Sequence, residues 1–382
     1  MLISPRPSFS RASIFVTGAT GFIGSHFVLE WLNQNMGPVK ALVRSTFLLD
    51  KDERLVQALK TAQTANGAPC LPALEDLETL EGDVTQSACG LVPATIARLR
   101  DGNMEVFWHF ASDLRHEAHH QKVLQHTNIE GAMNAAALAA ALGAKRFVYV
   151  STAYVCGRTE GIIEEELPAA DTKFNNAYEE SKAQAEHGLV ELCQTLGLRL
   201  TILRPSIVIG PRSTQSAEGS QTGLLGILHA VSWITSSQAG RSARLRVTAC
   251  PDAEINFIPV DCVVTDMIGL ATTGFGDQRV RHLTAVSSIT VAQCWRAISE
   301  ATGMRNLVLA APGSFEPTQM ELMIARRVAF FLGYITVSHA FQRSLPSAWR
   351  VDEADFRGYV REGLAWLAGG NGDEVSLPRQ DR

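Results

Sequence analysis

The sequence predicts an α/β fold: a doubly wound, Rossmann-type parallel sheet with a smaller, mostly helical substrate domain towards the carboxyl terminus. Short apolar runs alternate with helical patterns through the first half of the chain. Three glycines at intervals of three follow the first of these runs. The chain has 382 residues, 46% of them hydrophobic, which is longer than a single core normally requires.

The first apolar run, residues 14–16, leads directly into the most informative motif. Gly18 permits a tight turn, Gly21 lets a pyrophosphate approach bare backbone, and Gly24 lets the next helix pack on the strand. The amino-terminal end of that helix offers free N–H groups and a positive dipole to an anion. We therefore predict a dinucleotide site formed by Gly18, Thr20, Gly21, Phe22, Ile23 and Gly24.

The remaining elements of the first half follow in regular alternation, which is typical of a parallel sheet. Further strands are predicted at residues 39–43, 106–110, 147–150 and 200–203. Helices are predicted at residues 24–35, 53–65, 128–142 and 178–196. The alanine content of the third helix indicates that it lies buried close to the sheet.

A polar stretch at residues 211–222 ends this alternation and marks the expected domain boundary. The predicted NADP(H)-binding domain covers residues 11–210, with residues 253–285 returning to it. Residues 211–252 and 286–368 are expected to form a substrate-binding cap, and residues 369–382 a flexible tail. The ligand cleft should lie at the carboxyl ends of the strands.

Composition excludes several classes of function. The net charge of −5 gives no reason to expect nucleic acid or an anionic membrane as a partner. The seven cysteines form no Cys-x-x-Cys pair, so we predict neither a disulfide framework nor a zinc site. Residues 1–10 hold no signal-like apolar stretch, and the apolar segment 328–337 is about half of the ~20 residues that span a bilayer. We expect a cytoplasmic protein without a membrane span.

Arg44, at the end of the second predicted strand, bears on the choice of cofactor. An NAD-binding chain usually has Asp or Glu here, whereas an arginine fork suits the 2′-phosphate of NADP(H). The residue favours NADP(H) over NAD(H), the alternative being a solvated surface arginine. Asp83 and Val84 lie where a later loop could meet the adenine.

Tyr178 and Lys182 stand four residues apart at the start of a helical pattern and share one face. A free phenol titrates at about pH 10, and a neighbouring ammonium lowers that pKa, so Tyr178 could protonate a carbonyl oxygen during hydride transfer. The pair follows a strand that ends at Ser151 and Thr152, whose hydroxyls could bind the same oxygen. This position favours an active site over an exposed surface pair.

A histidine cluster invites a metal hypothesis, because two of its members are four residues apart and Asp113 could share their face. Nothing else in the sequence completes a coordination set. We therefore predict no metal and interpret the cluster as exposed helix residues or polar lining at the cleft mouth. Its members are His116, His119, His120 and His126.

These motifs together resemble the extended short-chain dehydrogenase/reductase superfamily over residues 14–283. The resemblance implies that Thr152 is the hydroxyl partner of Tyr178, the acid/base, and that Lys182 binds the ribose and lowers the pKa of Tyr178. It implies that Asn128 supports the active-site helix and the proton relay. Residues 204–208 would line the nicotinamide, and the remaining cofactor contacts would come from Ala111, Ser112, Ser151, Pro205 and Ile207.

A narrower resemblance is to the thioester reductases and fatty acyl-CoA reductases of the male-sterility type. Its landmarks here are Leu42-Val43-Arg44, Glu53-Arg54-Leu55, Gly82-Asp83-Val84-Thr85, Gly90-Leu91, Ser151-Thr152-Ala153-Tyr154 and the Tyr178/Lys182 pair. Ser112 departs from the pattern, which has alanine there, and Ala132 stands where threonine is usual. The resemblance implies NADPH-dependent reduction of an acyl thioester to aldehyde or alcohol. The acyl group would be carried by CoA or by an acyl or peptidyl carrier protein, supplied by another chain.

Other functions use similar residues. The runner-up is a reductase or dehydrogenase of a free ketone, aldehyde or secondary alcohol of the steroid or flavonol type, or a sugar-nucleotide epimerase. Nucleotide-sugar dehydratases carry Asp-Glu after the active-site threonine, where this chain has Ala153-Tyr154. Non-catalytic nucleotide sensors tend to lose the Tyr/Lys pair, which is present here. An acyl thioester as substrate is also supported by residues 322–337, which are mostly apolar and could form one wall of a cavity for an acyl chain. The alternative is that they fill the protein core, as apolar helices more often do.

Overall fold

The computed structural model describes residues 13–220, 222–236 and 244–370. Residues 1–10 and most of the expected tail, residues 371–382, lie outside them. The strands are β1 (Ser13–Thr17), β2 (Val39–Val43), β3 (Leu77–Glu81), β4 (Met104–His109), β5 (Arg146–Val150), β6 (Gly161–Ile163), β7 (Arg199–Pro205), β8 (Ile207–Ile209), β9 (Leu245–Thr248), β10 (Glu254–Ile255), β11 (Phe257–Pro259), β12 (Val280–Leu283), β13 (Ile289–Thr290), β14 (Leu307–Ala310) and β15 (His339–Phe341).

Helices alternate with these strands in the first half of the chain. They are α1 (Phe22–Asn33), α2 (Lys51–Ala65), α3 (Pro93–Arg100), α4 (Gln121–Leu124), α5 (Gly131–Ala141), α6 (Ala177–Leu196), α7 (Leu224–Ser236), α8 (Val260–Thr273), α9 (Val291–Thr302), α10 (Gln319–Arg327), α11 (Ala329–Leu332) and α12 (Glu353–Ala368). Among the described residues, no helix is both long and apolar enough to cross a membrane.

Seven strands of the described chain form one parallel sheet, in the order β12-β7-β5-β4-β1-β2-β3. All five residues of β1 and of β5 are buried, as expected for strands covered on both faces. The fold class predicted from the sequence, a Rossmann-type doubly wound sheet, is confirmed. Strand β12, which lies within residues 253–285, pairs in parallel with β7. The domain boundaries expected from the sequence stay a prediction.

Two apolar layers cover the sheet. On one face, α1, α2 and α8 contribute side chains such as Phe27, Leu55 and Val263 to a single buried cluster. On the other face, α5 and α6 pack over Phe107 and Phe147. Four alanines of α5 are fully buried there, because small side chains let a helix approach the strands closely. They are Ala132, Ala135, Ala136 and Ala139.

The cap region combines helices with short strand pairs that the sequence analysis did not anticipate. Strand β9 pairs with β14, β10 with β13, and β6 with β15. Helices α7, α9, α10 and α12 bury a separate apolar core around Leu228 and Phe356. We expected residues beyond 293 to be mostly helical, but β14 and β15 lie between the helices.

Candidate active site

The glycine loop between β1 and α1 shows three different steric demands. Gly18 has a φ of +72°, and a Cβ there would lie 2.4 Å from the backbone nitrogen of Ala111. A Cβ on Gly24 would lie 2.2 Å from the carbonyl oxygen of Gly18. Gly21 is exposed, and its Cβ would meet only that same oxygen, at 3.3 Å.

The backbone of the loop is therefore accessible to a ligand at Gly21, where α1 begins. The first turn of α1 contains no acidic residue, and no side chain caps its amino-terminal end. Backbone N–H groups in the first turn of a helix lack partners within the helix, so they can donate hydrogen bonds to a bound anion. The loop thus fits the pyrophosphate of a dinucleotide.

Two arginines lie beyond the end of β2. The guanidinium of Arg44 is 66% exposed and its Nη1 lies 3.1 Å from Oδ2 of Asp83. Arg54 donates a hydrogen bond to the carbonyl oxygen of Arg44. Burial lowers the pKa of Arg54 and the nearby charge of Arg44 lowers it further, so the two cations are close together. The sequence analysis treated Arg54 only as a landmark and missed it as a second positive charge.

Asp83 is held by hydrogen bonds at the end of β3. Its Oδ1 accepts from the backbone nitrogen of Thr85 at 3.0 Å and from the Thr85 hydroxyl at 2.8 Å. Burial favours the neutral carboxyl, but these bonds and the charge of Arg44 outweigh it and lower the pKa of Asp83. The ionised Asp83 accordingly orients the Arg44 guanidinium.

A row of buried polar groups crosses the middle of the sheet. Register pairs Thr17 with His109 and His109 with Tyr149, so the three residues are neighbours on adjacent strands. The Thr17 hydroxyl lies 2.7 Å from Nδ1 of His109. Burial lowers the pKa of His109 to about 3, helped by the charge of Lys182, so this imidazole is neutral.

Lys182 reaches under the carboxyl end of β5 from helix α6. Its Nζ donates to the carbonyl oxygen of Val150 at 2.8 Å and lies 4.2 Å from the ring centroid of Tyr149. Burial lowers the pKa of Lys182 to about 7, and the carboxylate of Glu186 opposes that change. The ammonium sits at the strand edge where a ribose could meet it.

A buried ion pair fastens α6 to the sheet. Arg204 on β7 donates from Nε and Nη2 to the two carboxylate oxygens of Glu186, at 3.0 Å and 2.6 Å. Both side chains are almost completely buried. The side chain of Arg204 is thus committed to Glu186, and the expectation that residues 204–208 line the nicotinamide stays a prediction. Ile207 is half-buried against the aromatic cluster around Tyr154, and Pro205 is buried at the end of β7.

Tyr178 is the second residue of α6, whose amino-terminal cap is Asn176. Burial raises the pKa of the Tyr178 phenol, a hydrogen bond with Ser112 lowers it, and the charge of Glu179 raises it further. Ser112 is thus the contact that lowers this pKa in the structure, and a lowering by Lys182 stays a prediction.

Asn128 joins the segment after β4 to helix α6. It lies in a π-helical stretch, Gln125–Glu130, that precedes α5, and is almost fully buried. Its Oδ1 accepts from the backbone nitrogen of Asp113 at 2.7 Å and from the Ser112 hydroxyl at 3.1 Å. Its Nδ2 donates to the Asp113 carbonyl at 3.0 Å and to the Ser181 hydroxyl at 2.9 Å. All four hydrogen-bonding positions of the amide are used.

Ser151 and Thr152 follow β5 at the same edge. The Thr152 hydroxyl accepts a hydrogen bond from the backbone nitrogen of Tyr154 at 3.3 Å, capping a short helical turn. Its own proton remains available to another acceptor. Within the described part of the chain, the buried Ser151 hydroxyl has no hydrogen-bond partner.

An aromatic wall separates this edge from the cap. Tyr154 packs on Tyr334 with ring centroids 4.4 Å apart, and Phe331 completes the buried cluster. By contrast, Leu322 and Met323 are 39% and 41% exposed, so the first part of the expected apolar wall, residues 322–337, faces solvent there.

Glu179 lies beneath this wall, and nothing in the sequence indicated its burial. It is fully buried and accepts a hydrogen bond from the backbone nitrogen of Asn175 at 2.8 Å. Burial raises its pKa to about 7, although hydrogen bonds from Asn175, Tyr334 and Asn176 oppose that shift.

The histidine cluster lies at the edge of the cap. His116 packs on Phe330 with centroids 4.5 Å apart, and Nδ1 of His126 lies 2.8 Å from Glu130. The rings of His119 and His120 lie 3.9 Å apart and are tilted by 49°. Across residues 13–220, 222–236 and 244–370, no three histidine, cysteine or acidic side chains are grouped so as to hold a metal ion.

Comparison with curated proteins identifies related reductases. The chain is 27% identical over 267 residues to the L-2-aminoadipate reductase large subunit of Eremothecium gossypii, a match that covers 65% of this chain and 18% of that protein. It is 26% identical over 295 residues to peramine synthetase A of Epichloe festucae, covering 76% of this chain and 10% of the relative. The chain thus spans less than a fifth of the length of either protein.

Solved structures share the fold. The terminal R domain from the myxalamid PKS-NRPS biosynthetic pathway superposes with a TM-score of 0.73 at 21% identity, over 96% of this chain and 92% of that one. A thiolation-reductase di-domain from an archaeal non-ribosomal peptide synthetase gives 0.68 at 16% identity, over 95% of this chain and 76% of that chain.

The match to a family model assigns the chain to a protein family. The model described as Male sterility protein, a type of NAD-binding domain, matches residues 16–267, which include the glycine loop, Asn128, Tyr178 and Lys182. The match covers well over half of the chain, and the protein therefore belongs to the Male sterility protein family of NAD-binding domains.

Proposed function

We propose that this protein is an NADPH-dependent reductase that converts an acyl thioester to an aldehyde, with Tyr178 as the proton donor. The family match from residue 16 to residue 267 is the observation that carries the proposal, because it joins the nucleotide loop and the Tyr178/Lys182 pair in one unit. The relatives named as an aminoadipate reductase and a thiolation-reductase di-domain support reduction at a carrier-bound acyl group.

The chain's own residues fit the cofactor at three places. The open face at Gly21 suits the pyrophosphate, and the buried Lys182 suits a ribose hydroxyl. Arg44 and Arg54 supply two positive charges where a 2′-phosphate would lie, which favours NADPH over NADH. When bound, NADPH supplies the hydride.

Tyr178 and Thr152 would act on the substrate carbonyl. The carbonyl carbon that accepts a hydride becomes tetrahedral, and negative charge develops on its oxygen. Tyr178 donates its phenolic proton to that oxygen, while the free proton of Thr152 offers a second hydrogen bond to it. Donors that are already in position stabilise this charge without reorganisation during the reaction.

The resulting hemithioacetal explains why a thioester suits this site. Its carbon–sulfur bond breaks as the oxygen re-forms a carbonyl, and the products are an aldehyde and a free thiol. Neither ATP nor a metal is required for these steps. A second cycle on the aldehyde would give an alcohol with the same residues.

The acyl carrier is CoA or a carrier protein in this proposal. The aromatic wall of Tyr154, Phe331 and Tyr334 would lie beside the acyl group, because Tyr154 follows Thr152 by two residues. Apolar walls with few polar groups are typical of sites for acyl chains.

The test supplies purified protein with NADPH and a panel of acyl-CoAs, acyl-carrier proteins, ketones and aldehydes. We expect NADPH oxidation together with stoichiometric release of thiol from at least one thioester. The Tyr178→Phe variant is the control, and it should retain NADPH binding but lose turnover. Reduction of a free ketone or aldehyde without thiol release from any thioester would contradict this function. It would support the alternative, a reductase of free ketones, aldehydes or secondary alcohols.

A further inference from the structure

The ring of Tyr149 lies against the ammonium of Lys182. The two residues belong to different elements, β5 and α6, and both side chains are almost completely buried. Nζ of Lys182 lies over the ring, 4.2 Å from its centroid. A cation at this distance from the face of an aromatic ring is attracted by the negative potential of that face. The function proposed above gives Tyr149 no role.

Two consecutive residues of β5 contact the ammonium of Lys182. An ammonium has three N–H donors and no acceptor. One of them donates to the carbonyl oxygen of Val150 at 2.8 Å, and the ring of the preceding residue, Tyr149, offers its face to a second. One N–H is then left for a ligand at the carboxyl edge of the sheet.

The positive charge of Lys182 needs support, because burial disfavours it and lowers the pKa of this group to about 7. Glu186 opposes this change, but both of its carboxylate oxygens accept hydrogen bonds from Arg204 on β7. His109 on β4 is neutral, and burial keeps the Tyr178 phenol neutral as well. An aromatic face attracts the ammonium far more than the uncharged amine, so the ring contact favours the charged form.

The Tyr149 ring is itself held by its neighbours in the sheet. It stacks on the imidazole of His109, with centroids 5.9 Å apart and 18° between the planes. Nδ1 of His109 lies 2.7 Å from the hydroxyl of Thr17, the residue directly before Gly18. A chain of buried contacts therefore connects the glycine loop with Lys182.

We propose that Tyr149 is a positioning residue for Lys182: its ring face holds the ammonium, in the charged form, at the strand edge with one N–H left for the cofactor ribose. The Tyr149 hydroxyl is not needed for this, since it has no hydrogen-bond partner among the residues that the structure describes. The role of the ring rests on the proposed function, in which Lys182 binds that ribose.

The first experiment measures the ionisation of Lys182 without cofactor or substrate. Lysine labelled with carbon-13 at Cε is incorporated, NMR follows its signals against pH, and Lys182→Met identifies the signal of Lys182. Position 149 receives phenylalanine, and then phenylalanines with one, two or three ring fluorines, which weaken the negative ring face with little change in size. We expect Tyr149→Phe to keep the pKa of Lys182 near that of wild type and each added fluorine to lower it.

Phe147 is the matched control position. It lies on the same strand, is fully buried, and packs its ring on that of Phe107, with centroids 5.4 Å apart. The same fluorinated series there should leave the pKa of Lys182 unchanged. A pKa that stays constant across the series at position 149, or that falls equally across the series at position 147, would overturn the role of the ring.

The second experiment measures cofactor binding by isothermal titration, with NADP⁺ because NADPH decomposes in acid. Tyr149→Leu removes the ring and should lower the pKa of Lys182 by roughly 1. We expect this variant to bind NADP⁺ almost as well as wild type at about pH 5.5, where the ammonium is charged in both, and roughly tenfold more weakly at about pH 8. Tyr149→Phe should bind like wild type at both. Equal weakening of Tyr149→Leu at the two pH values would contradict the proposal.

The positioning role and the proposed function can fail separately. If wild-type protein releases no thiol from any thioester while the titration of Lys182 still follows the ring at position 149, the thioester function fails and the role of Tyr149 stands. If thiol release is normal and the titration is independent of that ring, the function stands and the role of Tyr149 fails.

Discussion

Arg44 and Arg54 place two guanidinium groups beside the end of β2, and only the first was evident from the sequence. An exposed arginine gains most from a phosphate when the geometry allows a forked contact. Asp83, held by Thr85, fixes the orientation of Arg44 in advance. We therefore expect the preference for NADPH to depend on this carboxylate as well as on the two cations.

We expect Arg44→Ala to weaken NADPH binding by roughly tenfold or more while leaving NADH binding unchanged, because a charge-assisted hydrogen bond contributes roughly 1.5–3 kcal/mol. Isothermal titration with each cofactor measures this. Arg98→Ala is the control, since Arg98 is an exposed arginine paired with Glu78 on the neighbouring β3. An unchanged ratio of NADPH to NADH affinity in Arg44→Ala would rule out this assignment.

Substitution of Gly18 in the glycine loop can be compared with substitution of Gly197, which ends helix α6 and has a similar backbone conformation. Their φ values are +72° and +70°, but a Cβ on Gly18 would clash with Ala111, whereas nothing lies within 4 Å of one on Gly197. We expect Gly197→Ala to cost about 1 to 2 kcal/mol, from the left-handed backbone alone. Gly18→Ala should cost about 3 kcal/mol or more. Equal losses in urea unfolding would show that the close approach to Ala111 is unimportant.

At the residue scale, the sequence predicted side chains whose roles follow from local spacing. The glycine triplet and the Tyr178/Lys182 pair are visible because their members lie within one turn or one loop. The burial of Glu179 and the closeness of Arg54 to Arg44 depend on contacts between different elements, so no local pattern reveals them. The pairing of Arg204 with Glu186 was not predicted for the same reason, since the two residues lie on different elements.

At the scale of elements, the first half of the chain was predictable because its strands are buried on both faces and appear as apolar runs. Strand β2 was predicted to its ends. Strand β3 was missed because it lies at the sheet edge, where only Leu80 is buried, and its residues form neither an apolar run nor a strict alternation. The π-helical stretch Gln125–Glu130 was merged with α5, since one-residue changes in helical pitch leave no pattern in hydrophobicity.

The Arg204–Glu186 pair should contribute more to the free energy of unfolding than any surface ion pair, because it joins helix α6 to β7. We expect Glu186→Gln to lower the free energy of unfolding by about 3–5 kcal/mol, since it leaves a buried guanidinium without its countercharge. Glu105→Gln removes the partner of Lys145 at the surface and should change stability by less than about 1 kcal/mol. Urea denaturation measures the free energy of unfolding of both variants. Similar decreases in the two would contradict the role of the buried pair.

Glu179 should impose a pH dependence on stability. Its pKa rises from an ordinary value of 4.5 to about 7 in the folded protein, so the folded state holds more protons than the unfolded state between these values. The free energy of unfolding contributed by this group therefore falls as pH increases through that window. Subtracting the profile of Glu179→Gln from that of wild type isolates this fall among the titrating histidines. A flat difference profile would mean that Glu179 ionises normally.

At the scale of the whole molecule, the sheet brings together residues that are far apart in sequence. Segments that follow β1, β4 and β5 meet at one edge, and α6 brings Tyr178 and Lys182 to it. The order of elements predicted this meeting point. The cap was less predictable, because its strand pairs have two to four residues each and join distant segments such as β6 and β15.

The central claim is that a hydride reaches a thioester carbon while Tyr178 supplies the proton. The most direct measurement uses NADPH with deuterium at the transferable position, an acyl thioester that the protein accepts, and mass spectrometry of the products. The account predicts an aldehyde with one deuterium on its carbonyl carbon, one free thiol per NADPH oxidised, and a loss of about 10²–10⁴ in rate for Tyr178→Phe. Aldehyde without deuterium, or wild-type rates in Tyr178→Phe, would contradict it.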